Sequence, residues 1–128
     1  MVRVNLKEEM MNLYSFHRAS EWTAERAKAA RALGKPPGSE GSIGKLALSR
    51  IARDANHVHS MIAGAQGMLK TGDDPQDAVV AEILVSTPAQ SIAGGTDEIQ
   101  HNILGENVLG LPKEPATDRG VAFKDVGK

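Results

Sequence analysis

From Asn5 to Leu33 the chain carries neither proline nor glycine and is rich in Ala, Glu, Lys and Arg, all strong helix formers. Leu6, Met10, Leu13 and His17 recur near helical spacing, and Tyr14, Phe16 and Trp22 widen the apolar surface. Lys7, Glu8 and Glu25 lie elsewhere on the circumference. The pattern predicts one long helix packed against neighbours. Gly34-Lys35-Pro36-Pro37-Gly38 ends it, because Gly34 can take the left-handed C-terminal conformation and the prolines cannot donate the next hydrogen bonds. A second long helix opens at Ser39 or Ser42 and runs to about Leu69 on Ile43, Leu46, Ala47, Ile51, Val58, Ile62 and Leu69, weakened at its end by Gly64 and Gly67. A third, short helix follows Asp74 as N-cap and Pro75 as first helical residue, with Asp77 near enough to complete the cap. Its apolar residues Val79, Val80, Ile83 and Leu84 lead to Pro88, which is expected to end or kink it.

The last helix has the clearest signature. Gly94 and Gly95 can take positive φ and carry no Cβ, so the backbone can turn sharply and lie close to a flat ligand or another backbone. Thr96 sits where an N-cap belongs, with Asp97 and Glu98 in the first turn, where negative charge suits the helix dipole. Ile99, Ile103, Leu104, Val108 and Leu111 approximate one stripe, and Gly110 and Pro112 stop it. The expected fold is therefore all-α: an up-and-down helical bundle of about four helices over residues 1–115, with an extended or poorly ordered tail over 116–128.

Composition changes this picture in one respect. Aromatic residues make up only 3% of the 128-residue chain, so the core must come from Leu, Ile, Val, Met and Ala and is thin for the helix length. Apolar surface of at least the first helix is expected to stay uncovered in a monomer and to be buried against another copy or other segments, which makes a homo-oligomer the expected state. The 15 basic and 16 acidic residues give a net charge of −1 with no basic stripe, so nucleic acid has no electrostatic reason to bind. The absence of cysteine excludes disulfides and thiolate chemistry and suits a reducing cytoplasm. No window approaches the ~18 apolar residues of a membrane-spanning helix, and the start lacks the apolar run of a secretory signal.

The segment Ser91-Ile92-Ala93-Gly94-Gly95-Thr96-Asp97-Glu98-Ile99-Gln100, continuing into Gly105-Glu106-Asn107-Val108-Leu109-Gly110-Leu111-Pro112-Lys113-Glu114-Pro115, resembles the C-terminal end of acyl-CoA dehydrogenases. These flavoenzymes desaturate acyl-CoA thioesters between the α and β carbons. Gly38-Ser39-Glu40-Gly41-Ser42-Ile43-Gly44-Lys45-Leu46-Ala47 looks like the start of the second long C-terminal-domain helix of actinobacterial-type members. The likeness spans nearly the whole chain and is strongest at 38–47 and 91–115. It implies the C-terminal helical domain of a larger subunit whose other domains, an N-terminal helical one and a middle β domain, hold FAD with it and across a subunit interface.

Residue by residue, the resemblance implies the following. Many members place their general base, a glutamate, directly before the Gly-Thr dipeptide; that position is Gly94, which has no titratable group. Others carry the base on an earlier helix of the domain, which lies upstream of Met1, as does the Arg-x-x-Phe-Gly type segment that reaches a neighbouring FAD. The chain is thus expected to be truncated, to contain no catalytic base and to be inactive by itself. Gly95 matches the glycine whose backbone adjoins the substrate, and Thr96, Asp97 and Glu98 match the turn that contacts FAD. Gly64-Ala65-Gln66-Gly67 resembles the glycine-rich turn that meets a partner subunit's FAD, with Met61 where several members have glutamine. His101 stands where many relatives have arginine; as an ordinary residue it would be a surface position of the helix. The implied cofactor is FAD, and the implied partner is an acyl-CoA.

Two other readings compete. A non-catalytic partner subunit of a heteromeric acyl-CoA dehydrogenase would also lack the glutamate, although it would still need the domains that hold FAD. A helix-bundle di-iron site is suggested by Asp54-x-x-His57 and Glu98-x-x-His101, whose spacing puts a carboxylate and an imidazole on one face, with Glu9 and Glu82 as the nearest further ligands. His57 and His59 point to different sides of a helix and cannot easily share a metal. Ordinary polar histidines account for them, and no metal ligand is assigned.

Overall fold

A computed structural model describes residues 5–69, 78–113, 115 and 120–125. Four α-helices follow one another: α1 (Leu6–Ala32), α2 (Glu40–Ala63), α3 (Val79–Gln90) and α4 (Asp97–Asn107). A 3-10 turn at Gly64–Met68 continues α2, and another lies at Phe123–Asp125. No strand occurs among the described residues. The fold is all-α, as the pattern predicts. The expected cap at Asp74, Pro75 and Asp77 lies outside the described residues.

Helix α1 ends where expected, with Gly34 at φ 75° closing the turn onto the Arg31 carbonyl at 2.9 Å. Helices α1 and α2 form an antiparallel hairpin: Ala19, Thr23 and Ala24 face Glu40, Gly44 and Ala47, while Met10, Leu13 and His17 face Ile51, Val58 and Ile62. Small residues dominate the first contact, which lets the backbones approach closely but buries little apolar area per residue. The Arg50 guanidinium lies 4.4 Å from the Phe16 ring centroid and adds a cation–π tie between the two helices. Helix α2 is the common neighbour of the molecule: it packs against α1, α3 and α4, whereas α1 meets neither α3 nor α4 among the described residues.

Helix α2 opens at Ser39, one of the two starts the sequence offers. Ser39 is the N-cap residue but makes no side-chain cap; instead the Glu40 carboxylate turns back and accepts from the Gly38 N–H at 2.7 Å. Its own N–H and that of Gly38 hold the Glu40 carboxyl below the usual range. The α-helix also stops at Ala63 rather than near Leu69, because Gly64 takes φ 59° and the chain tightens into the 3-10 turn. Of the two outcomes expected at Pro88, an end or a kink, the end does not occur: helix α3 runs two residues past it. Near a C-terminus the missing N–H costs one bond to the helix, and the turn closes through Ser91 and Ile92, which donate to the Pro88 and Ala89 carbonyls at 3.1 Å each.

The thin core is plain. Apart from Val58, the buried apolar side chains among the described residues are alanines, Ala27, Ala47 and Ala78, and the largest fully buried side chain is Ser49. Met10, Met11, Tyr14 and Trp22 on α1 are all exposed, and so are Ile99, Val108 and Leu111 of the predicted α4 stripe. The accessible surface is 10079 Å² for a 13.6 kDa chain.

Candidate functional site

The site is built at the corner between α3 and α4. Gly94 and Gly95 have φ 69° and 93°, so both occupy the left-handed region that the chain needs to reverse here. A Cβ on Gly94 would meet nothing within 4 Å, whereas one on Gly95 would lie 3.0 Å from Gln100 Nε2. That amide is there for a reason: Gln100 is buried and donates to the Gly94 carbonyl at 3.1 Å. Thr96 is the N-cap of α4, and its Oγ1 accepts from the Ile99 N–H at 3.3 Å, as the sequence predicts.

The other side of the corner is held by α2. Lys45, Ser49 and Arg53, spaced four apart, lie on one face of that helix. Ser49 Oγ donates to the Gln90 carbonyl at 2.9 Å, and Lys45 Nζ donates to the Ser91 carbonyl at 3.2 Å, so α2 caps the C-terminus of α3. Lys45 Nζ also donates to Asp97 Oδ1 at 2.6 Å, and Arg53 Nη1 to Asp97 Oδ2 at 3.0 Å and to Ser91 Oγ. The Lys45 bond first, and the Arg53 bond second, hold the Asp97 carboxyl well below the usual carboxylate range. The charges also suit the helix ends: a cation at the C-terminus of α3, a carboxylate at the N-terminus of α4.

Three N–H groups at the N-terminus of α4 are taken: Asp97 N–H goes to the Ser91 carbonyl at 3.1 Å, Gln100 N–H to the Thr96 carbonyl at 3.0 Å, and Ile99 N–H to Thr96 Oγ1. The backbone N–H of Glu98 first, and Thr96 second, hold the Glu98 carboxyl below its ordinary range. Asp97 turns toward α2, whereas Glu98 is exposed. Among the described residues, no bond within the chain occupies the N–H groups of Gly94 and Gly95. The Thr96 N–H is likewise without such a bond, so the available donors run along the turn from Gly94 to Thr96.

Gly64 and Gly67 sit elsewhere. From Lys45 to Gly64 runs about 28 Å of helix at 1.5 Å per residue, so the structure does not bring the second glycine turn to the first. Gly64 is exposed, while Gly67 is buried with its would-be Cβ 2.7 Å from Ala63 Cβ and 3.1 Å from Val80 Cγ1. Close packing of the 3-10 turn against α3 requires this glycine. His101 is exposed beside Gly105 and Leu111. Asp54 pairs with Arg50 at 3.3 Å, and among the described residues no three His, Asp or Glu side chains gather to hold a metal ion. No helix of the described residues is long and apolar enough to cross a membrane.

The corner is thus an exposed diglycine turn between two helices, held by a buried glutamine on one side and a charged face on the other. A model of the acyl-CoA dehydrogenase C-terminal domain matches residues 4–109, and the chain belongs to that family. Among characterised relatives, acyl-CoA dehydrogenase IpdE1 of Mycobacterium tuberculosis is 33% identical over 100 residues, covering 73% of this chain and 25% of that protein. Acyl-CoA dehydrogenase IpdE1 of Mycolicibacterium smegmatis is 31% identical over 98 residues, covering 73% and 24%. The chain thus spans about a quarter of the length of these relatives. No solved structure gives a significant match.

Proposed function

We propose that the chain is the C-terminal helical part of an FAD-dependent acyl-CoA dehydrogenase that desaturates acyl-CoA thioesters at the α and β carbons, and that it works only in assembly with other domains or copies. The observation that supports this most is the family match over residues 4–109 joined to an exposed diglycine corner whose backbone donors are unoccupied. FAD, when bound, accepts the hydride that leaves the β carbon. This chain's part is to border that chemistry. Gly95, lacking a Cβ, lets the acyl group approach the backbone, and the N–H groups of Gly94 and Gly95 are donors for a carbonyl oxygen. Thr96 and Glu98 face the flavin side of the turn; Asp97 sets the turn by its bonds to α2. Gly64 serves a second FAD contact made to a partner subunit, and Gly67 shapes the same turn from inside.

Gly94 cannot abstract a proton, so the general base comes from another part of the assembled enzyme. The same residue supports the second reading, a non-catalytic partner subunit of a heteromeric dehydrogenase. The test is to add FAD, an acyl-CoA and an artificial electron acceptor to the purified 128-residue chain. Neither flavin retention nor dye reduction is expected. Turnover by this chain alone overturns the proposal.

A further inference from the structure

We propose that Lys45, Ser49 and Arg53 form a platform on α2 that fixes the diglycine corner, which makes Lys45 and Arg53 positioning residues for whatever the corner borders. The functional part rests on the reading given under Proposed function; the mechanical part does not. The corner has no apolar anchor of its own: Ile92 is 66% exposed, Ala93 is exposed, and the two glycines have no side chains. Two consecutive glycines in the left-handed region are the most conformationally free pair a chain can offer, so something else must restrict them. Polar ties do so. From α2 come the bonds of Ser49 to the Gln90 carbonyl, of Lys45 to the Ser91 carbonyl and Asp97, and of Arg53 to Ser91 Oγ and Asp97. From α4 come two bonds, of Gln100 to the Gly94 carbonyl and of the Asp97 N–H to the Ser91 carbonyl. Charge-assisted bonds are the strongest of these, and Lys45 is placed to hold the residues on both sides of the glycines at once.

Amide hydrogen exchange of the full chain, resolved to single residues at neutral pH, tests this. In Lys45→Met the N–H groups of Ala93 and Asp97, bonded to the Ala89 and Ser91 carbonyls, are expected to exchange roughly tenfold or more faster, while the middle of α2 around Val58 keeps its wild-type protection. Lys45→Arg, which keeps the cation, is expected to restore protection at both amides. The platform is rejected by any of four results: unprotected amides at Ala93 and Asp97 in the wild type, wild-type exchange in Lys45→Met, failure of Lys45→Arg to rescue, or an equal loss of protection along α2. Because no flavin enters this measurement, its failure leaves the dehydrogenase reading standing, and failure of the flavin assays leaves the platform standing.

Discussion

At the scale of single residues, the two glycines of the corner make separable predictions. Alanine at either position must adopt a left-handed backbone, which costs about 1–2 kcal/mol. Gly94→Ala adds nothing further, since its Cβ would stand in open space, but Gly95→Ala also presses on Gln100 Nε2 and loosens its bond to the Gly94 carbonyl. Urea unfolding should therefore rank Gly95→Ala as the more destabilised variant; the reverse order would mean that the Gln100 contact does not form. Asp97 predicts a pH dependence. Its carboxyl is held below the usual range in the folded chain, while in the unfolded chain it titrates near about 3.9. Its contribution is present above that value and lost as pH falls below it. The urea midpoint of Asp97→Asn should accordingly lie below wild type at neutral pH, with the two converging below about pH 4. A gap that persists or widens in acid would contradict the pairing with Lys45 and Arg53.

At the scale of elements, α2 does the organising, and the 3-10 turn after it packs only because Gly67 has no side chain. Gly67→Ala puts a methyl group 2.7 Å from Ala63 Cβ and should cost about 1–3 kcal/mol in unfolding experiments, with α3 shifted away from the turn. A neutral result would show that the turn is free to move. How far the sequence disclosed these elements depends on the range of the forces involved. Helix α1 and the start of α4 were legible because a proline-free run, Gly34 and the Thr96 cap act within a few residues. The positive φ of the diglycine was legible for the same reason. Helix α3 was less so: a proline in a last turn costs too little to stop a helix already packed on α2. The platform was not legible at all. Lys45 and Asp97 are 52 residues apart and Arg53 and Asp97 are 44 apart, and no local pattern marks which lysine or arginine a distant carboxylate will meet.

At the scale of the whole molecule, the decisive observation is the exposed apolar side chains of the described residues, among them Met10, Tyr14, Trp22, Ile99 and Leu111. The apolar interior of the described residues, three alanines and one valine, is correspondingly small. The purified chain is thus expected to associate in sedimentation experiments and to enhance the fluorescence of an apolar dye; a dye-silent monomer would mean that the helices close on themselves in solution. The central claim is that the diglycine corner lies at the acyl and flavin site of an assembled dehydrogenase. Its most direct test is flavin bleaching by acyl-CoA in the assembly purified from native cells through a tag on this chain, compared with the same assembly carrying Gly95→Val. The account predicts bound flavin in both, rapid bleaching in wild type and its loss in the variant. An assembly without flavin, or equal bleaching in the two, would contradict it.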